Sequence, residues 1–80
     1  MKISEAVARR TKDLIAQKNI TQYRLCKDID MHLNTMTNIM TAKNKSVNLK
    51  TILQISKGLG ITPSEFLDDP IFTSVELDTE

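Results

Sequence analysis

Little in this chain could build a reaction centre. Its 80 residues include one cysteine, one histidine, two glycines and two prolines. A single Cys26 excludes an internal disulfide, and with a single His32 it leaves too few ligands for a zinc site, so no metal is expected. On a small inward position of a helix, Cys26 reads as a packed core thiol. There is no Gly-rich phosphate loop, no carboxylate pair set into the apolar pattern, and nothing resembling a nucleophile beside a base. The chain is therefore not expected to be an enzyme or to need a cofactor. No apolar run approaches the ~18 residues of a membrane span, and no signal-peptide pattern is present. Those absences point to a soluble, intracellular, cytoplasmic protein with no membrane partner. With so few glycines and prolines, and no repeat or low-complexity stretch, there is no room for a flexible linker. The length allows one domain with a small core and marginal stability.

Charge is present, and it is unevenly spread. The formal net charge is +1, yet residues 1 to 50 carry ten Lys or Arg against four acidic groups, while residues 51 to 80 carry Lys57 against six. The amino-terminal part is thus near +6 and the remainder near −5. A gradient of this kind suggests that one end meets a polyanion and the other does not, although a solvated surface can also show it.

Hydrophobic residues make up 40% of the chain, enough for a globular fold. The pattern predicts an all-α protein of five helices. Ser4 followed by Glu5 starts the first, with Ile3, Val7 and Leu14 on one stripe and Thr11 between them; it fades near Asn19. Thr21 caps a second helix beginning at Gln22, with Leu25 and Ile29 inward. The chain turns at Asp30, Met31 and His32, and Asp30 is one of the few residue types that reach the left-handed region cheaply. On the third helix Asn34, Thr37, Asn38 and Thr41 share one face and Met36, Ile39 and Met40 the other. Asn48 caps a fourth helix with Leu49, Ile52, Leu53 and Ile55 inward, ended by Gly58 and Gly60. Thr62-Pro63-Ser64-Glu65 is a capping box with proline at the first helical position, opening a short fifth helix that contains Phe66 and Leu67. Asp68-Asp69-Pro70 stops it. Residues 1–69 read as the folded domain, and 70–80 as an acidic tail that is either frayed or a partner-binding segment.

The outward face of the third helix carries amides and hydroxyls but no charge. A merely solvated helix more often shows Lys and Glu, whereas Asn and Thr suit the reading of base edges. The segment Thr21 to Lys43, followed by Asn48-Leu49-Lys50-Thr51-Ile52-Leu53, Leu59-Gly60-Ile61-Thr62-Pro63 and Phe66-Leu67, resembles the phage-repressor family of helix-turn-helix proteins, the lambda-repressor and Cro type. The resemblance runs from about Val7 to Asp68. It implies a five-helix lambda-repressor-like domain that docks its third helix in the major groove of double-stranded DNA, a geometry for which that family is the standard case. It places Leu33, Asn34, Thr37 and Asn38 at base edges, with the Asn amides pairing adenine and Leu33 touching a thymine methyl. Thr21 and Gln22 would hold one phosphate stretch, and Thr41, Lys43, Asn44 and Lys45 the other. Tyr23 and Arg24 either brush the backbone or do nothing.

Three departures from the family pattern stand out. Asp30 replaces the usual turn glycine, and Ala42 replaces the glycine after the recognition helix. The third is a linked pair: many members have an Arg late in helix 1 and a Glu late in helix 3, and this chain has Ile15 and Met40 there. Losing both charges together avoids stranding one of them in the interior, so the two side chains are expected to meet in the core.

The reading that follows is a small sequence-specific transcriptional regulator, a repressor that binds as a homodimer. Phe66, Ile71, Phe72, Val75 and Leu77 are the apolar groups left for dimerisation. Two alternatives remain at this stage. One is an antitoxin-type autorepressor whose acidic end engages a protein partner; the other is a protein-interaction adaptor that keeps the fold and not the DNA contacts.

Overall fold

The computed structural model describes residues 1–44 and 46–76, so Lys45 and Leu77 lie outside the described residues. It is all-helical, as the pattern predicts, in the order α1 (Ile3–Lys18), α2 (Gln22–Asp28), α3 (Leu33–Met40), α4 (Leu49–Leu59) and α5 (Pro63–Leu67), followed by a 3-10 helix at Pro70–Ser74.

Local chemistry sets the helix starts. The Thr21 hydroxyl accepts from the Arg24 amide at 3.1 Å, and the Asn48 side chain accepts from the Thr51 amide at 2.9 Å. The capping box of α5 is complete, with the Glu65 amide donating to the Thr62 hydroxyl at 3.2 Å and the Thr62 amide to the Glu65 carboxylate at 3.3 Å. The start of α1 differs from the expectation. Ser4 lies inside the first turn and is buried, and Glu5 reaches back to accept the Lys2 amide at 3.0 Å.

One core holds the helices together. Val7, Leu14 and Ile15 of α1 join Leu25 and Cys26 of α2, Met36, Ile39 and Met40 of α3, Ile52, Ile55 and Leu59 of α4, and Phe66 of α5. Helix α1 packs against α3 and α4, α2 against α3 and α4, and α4 against α5. Ile15 and Met40 therefore share this core, where a lone charge at either position would have no water and no partner. Two polar groups inside it satisfy themselves: the Thr11 hydroxyl donates to the Val7 carbonyl at 2.7 Å and the Ser56 hydroxyl to that of Ile52 at 2.8 Å. Burial also pushes the Cys26 thiol above its ordinary pKa, because the interior disfavours the thiolate.

Several inward assignments are corrected. Leu49 and Leu53 are 66% and 46% exposed, since the buried stripe of α4 is Ile52, Ile55, Ser56 and Leu59 and these two leucines fall to its flank. Phe66, expected at a dimer surface, is wholly buried and so unavailable for self-association. The segment after Asp69 does not fray within the described residues. Its 3-10 helix packs on α1, and Phe72 lies against the core with its ring 6.1 Å from that of Phe66. Beyond it the Glu76 amide donates to the Met1 carbonyl at 2.8 Å.

Arg10 fastens this end of the molecule. Its guanidinium donates to the carbonyls of Glu65 and Phe66, each at 2.8 Å, and reaches the Asp69 carboxylate at 3.2 Å. Both carbonyls lie in the last turn of α5, where that of Glu65 also accepts the Asp68 amide at 3.2 Å. The planar fork of an arginine suits three acceptors where a lysine would not.

Gly58 does not end α4; Gly60 does, at φ 73°. Gly58 instead permits α4 to approach α2, since a methyl group there would overlap the side chains of Ile29 and Leu25. In an open helix, replacing glycine by alanine stabilises by roughly 0.5–1 kcal/mol. Here the overlap is with a fully buried leucine, and overpacking of that kind costs about 1–3 kcal/mol. Gly58→Ala is expected to be destabilising, seen as a lower urea midpoint at unchanged slope.

Candidate nucleic-acid interface

The helix-turn-helix is made by α2, the four-residue turn Ile29–His32, and α3. Asp30 adopts φ 53°, as its residue type allows. The turn closes with the Met31 amide donating to the Cys26 carbonyl at 2.9 Å, and the Met31 side chain packs on the core.

The helix ends follow one rule. Each of α1, α2, α3 and α4 is followed by a left-handed residue, namely Asn19, Asp30, Ala42 and Gly60. In each case the next residue donates its amide back across the last turn: Ile20 to Ile15, Met31 to Cys26, Lys43 to Asn38, and Ile61 to Ser56. An apolar side chain usually accompanies this closure and packs beneath the helix end. Ile20, Met31 and Ile61 do so. At the end of α3 that position is Lys43, which is exposed. The closure that elsewhere tucks an apolar group inward here leaves a cation in solvent at the end of the helix.

The surface of α3 follows from the same geometry. Met36, Ile39 and Met40 are buried, Leu33 is 49% exposed, Asn34, Thr37 and Thr41 are exposed, and Asn38 is half-buried. The Thr37 hydroxyl donates to the Leu33 carbonyl at 2.9 Å and the Thr41 hydroxyl to the Thr37 carbonyl at 2.8 Å. Their protons are thus engaged within the helix and their oxygens can only accept from outside. Among the described residues, the side-chain amides of Asn34 and Asn38 form no hydrogen bond, which leaves both a donor and an acceptor on each. The face therefore offers two bifunctional amides and two acceptors, with no charge to select phosphate over a base edge.

Thr21 is engaged as the cap of α2, and Gln22 and Tyr23 are exposed beside it. Arg24 pairs with Asp28 one turn on, at 3.3 Å between exposed groups. Lys43 and Asn44 are exposed past the end of α3. Two residues that the helical-face reading passed over also stand at this surface. Thr35 is exposed on α3, and His32 is exposed at its start.

A family model for the Cro/C1-type HTH DNA-binding domain matches residues 10–70. This chain belongs to that family. It is a DNA-binding transcriptional regulator, and the fold, the helix-turn-helix at α2 and α3, and the resemblance seen in the sequence all agree with it. The solved structure of the clp gene regulator ClgR from C. glutamicum superposes with a TM-score of 0.81, covering 98% of this chain and 99% of that one at 15% identity. At that identity the likeness is one of fold. No curated protein matches the sequence. A DNA-binding domain points to a non-enzymatic role. Among the described residues no helix is long and apolar enough to cross a membrane.

The alanine in the left-handed turn makes a testable point about the recognition helix. For a residue with a Cβ that conformation costs about 1–2 kcal/mol, and glycine avoids most of it. Ala42→Gly, with φ 54° retained, should raise the thermal midpoint by a few degrees, corresponding to about 1 kcal/mol. An unchanged or lower midpoint in a thermal melt would show that the turn carries no such strain.

Proposed function

We propose that this protein is a cytoplasmic repressor that binds a two-fold-related operator as a homodimer, reading bases with Leu33, Asn34, Thr37 and Asn38. The observation that carries the reading is the uncharged face of α3, where two unpaired amides stand on a helix whose other face is locked into the core. Phosphate contacts fall to Thr21, Gln22, Thr41, Lys43, Asn44 and Lys45, which flank that face in the chain on both sides. Such contacts hold the protein on the duplex and carry no sequence information of their own.

Pairing of two protomers is supported by the limited reach of one recognition helix, which meets few base pairs; members of this structural class meet half-sites about 34 Å apart. With Phe66 withdrawn into the core, the candidate surface is the remainder of the carboxy-terminal third. Leu67 is 47% exposed, Ile71 and Val75 are half-buried, and Leu53 on the flank of α4 adds to it. Phe72 contributes by filling the space over α1. The acidic balance of residues 51 to 80 keeps this end away from DNA and is also the feature that would attract a protein partner.

Two outcomes are expected. Asn38→Ala should narrow the gap between specific and random DNA by about 1–3 kcal/mol, with little loss on random duplex, in titrations against a palindrome selected from a random library. A variant that keeps the full ratio would place direct readout elsewhere. Leu67→Glu should lower the dimer fraction in analytical ultracentrifugation and operator affinity together, with the helical circular dichroism unchanged. A variant that still dimerises would move the interface off α5.

A further inference from the structure

Helix α1 carries two adjacent arginines, and the fold treats them differently. Arg10 is engaged by α5 and Asp69. Arg9, about 100° further round the helix, is exposed and forms no hydrogen bond or ion pair among the described residues. Acidic groups stand one turn to either side of it, Glu5 and Asp13, at the spacing where ion pairs form on a helix surface. Neither pairs with it. Glu5 instead accepts the Lys2 amide. Lys12, one turn beyond Arg9, is likewise exposed and unpaired among the described residues.

These two cations line a groove of about 290 Å³ between α1 and the end of α3. Thr41 and Ala42 form its other side, and the buried Ala8 and Met40 make its walls partly apolar. A concave site with low-dielectric walls focuses the field of the charges within it. Glu5 is the acidic group of this groove, so its cations are in excess. Two other clefts of the molecule have a different balance. Arg10 and Lys18 share one with Glu65 and Asp68, and Lys57 shares another with Asp28 and Asp30. The α1 groove is also continuous with the reading helix: it opens at Thr41, and the exposed Lys43 and Asn44 follow directly in the chain.

We propose that Arg9 and Lys12 form a phosphate clamp on α1 that holds the DNA backbone beside the carboxy-terminal end of α3. This rests on the DNA-binding reading of α3 and adds to it a contact surface outside the helix-turn-helix. The excess of cations and the continuity with α3 both select the duplex backbone as occupant. A guanidinium offers paired donors to two phosphate oxygens, and the ammonium adds a compact charge. The clamp fixes the register of α3 on the duplex and carries no choice of sequence.

The test is a titration of a fixed duplex of arbitrary sequence by fluorescence anisotropy over about 0.05–0.2 M salt. The double variant Arg9→Gln, Lys12→Gln should flatten the log-log salt slope by about two and weaken binding about five- to tenfold per contact near 0.1 M salt. The charge-preserving pair Arg9→Lys, Lys12→Arg should keep the native slope. Lys18→Gln combined with Lys57→Gln removes the same charge outside the groove, and it too should leave the slope in place. All four positions are exposed, and an unchanged thermal midpoint verifies that each variant is folded. A native slope in the Arg9, Lys12 double variant would overturn the proposal, as would equal flattening in both charge-removing variants, which would show net charge acting in place of a contact. A native protein that binds no duplex would instead remove the DNA-binding reading and the clamp with it, a result distinct from these.

Discussion

Three side chains, Met36, Ile39 and Met40, hold the recognition helix to the rest of the protein. Helix α3 has eight residues, too few to be stable alone in water. Its existence depends on burying that apolar half against α1 and α2. Because the buried half is wholly apolar, no ion pair is needed to orient the helix, and its outer half is free to carry amides and hydroxyls. The loss of the Ile15 and Met40 charges seen in many relatives fits this arrangement: packing replaces an interior salt bridge, which is often neutral or favourable.

The second constraint is Arg10. One guanidinium ties α1 to two carbonyls of α5 and to Asp69, which caps the 3-10 helix. This draws the acidic carboxy-terminal third onto the face of α1 and anchors it there. Lys43, past the end of α3, stays in solvent. The acidic carboxy-terminal part of the chain is thus fastened through Arg10, while α3 itself carries no charge.

Helix termination shows how one local device serves two purposes. Four helices close through a left-handed residue followed by an amide that bonds back across the last turn. Three of these closures place an apolar side chain into the core, and the one after α3 places Lys43 in solvent. The backbone is the same in all four; the side chain after the turn decides whether it seals the core or equips the surface. Ala42 in that turn carries a steric cost that its glycine counterpart would not.

Much of this was legible in the sequence because it is local. Caps at Thr21, Asn48 and Thr62, the turn at Asp30 and the two faces of α3 follow from residue type and helical spacing, which need no knowledge of the rest of the chain. The family resemblance then assigned the fold. What the sequence could not decide is which apolar residues the fold consumes. Leu49 and Leu53 are as hydrophobic as Ile52 and Ile55, and only the angle at which α4 meets its neighbours separates them. Phe66 and Phe72 looked like surplus apolar surface because the core that takes them is built by helices distant in the chain. Gly58 looked like a helix end because its reason for being glycine is the approach of α2. Pattern and capping determined the elements and the chemistry of the reading face; long-range packing alone determined which side chains remained outside to meet another molecule.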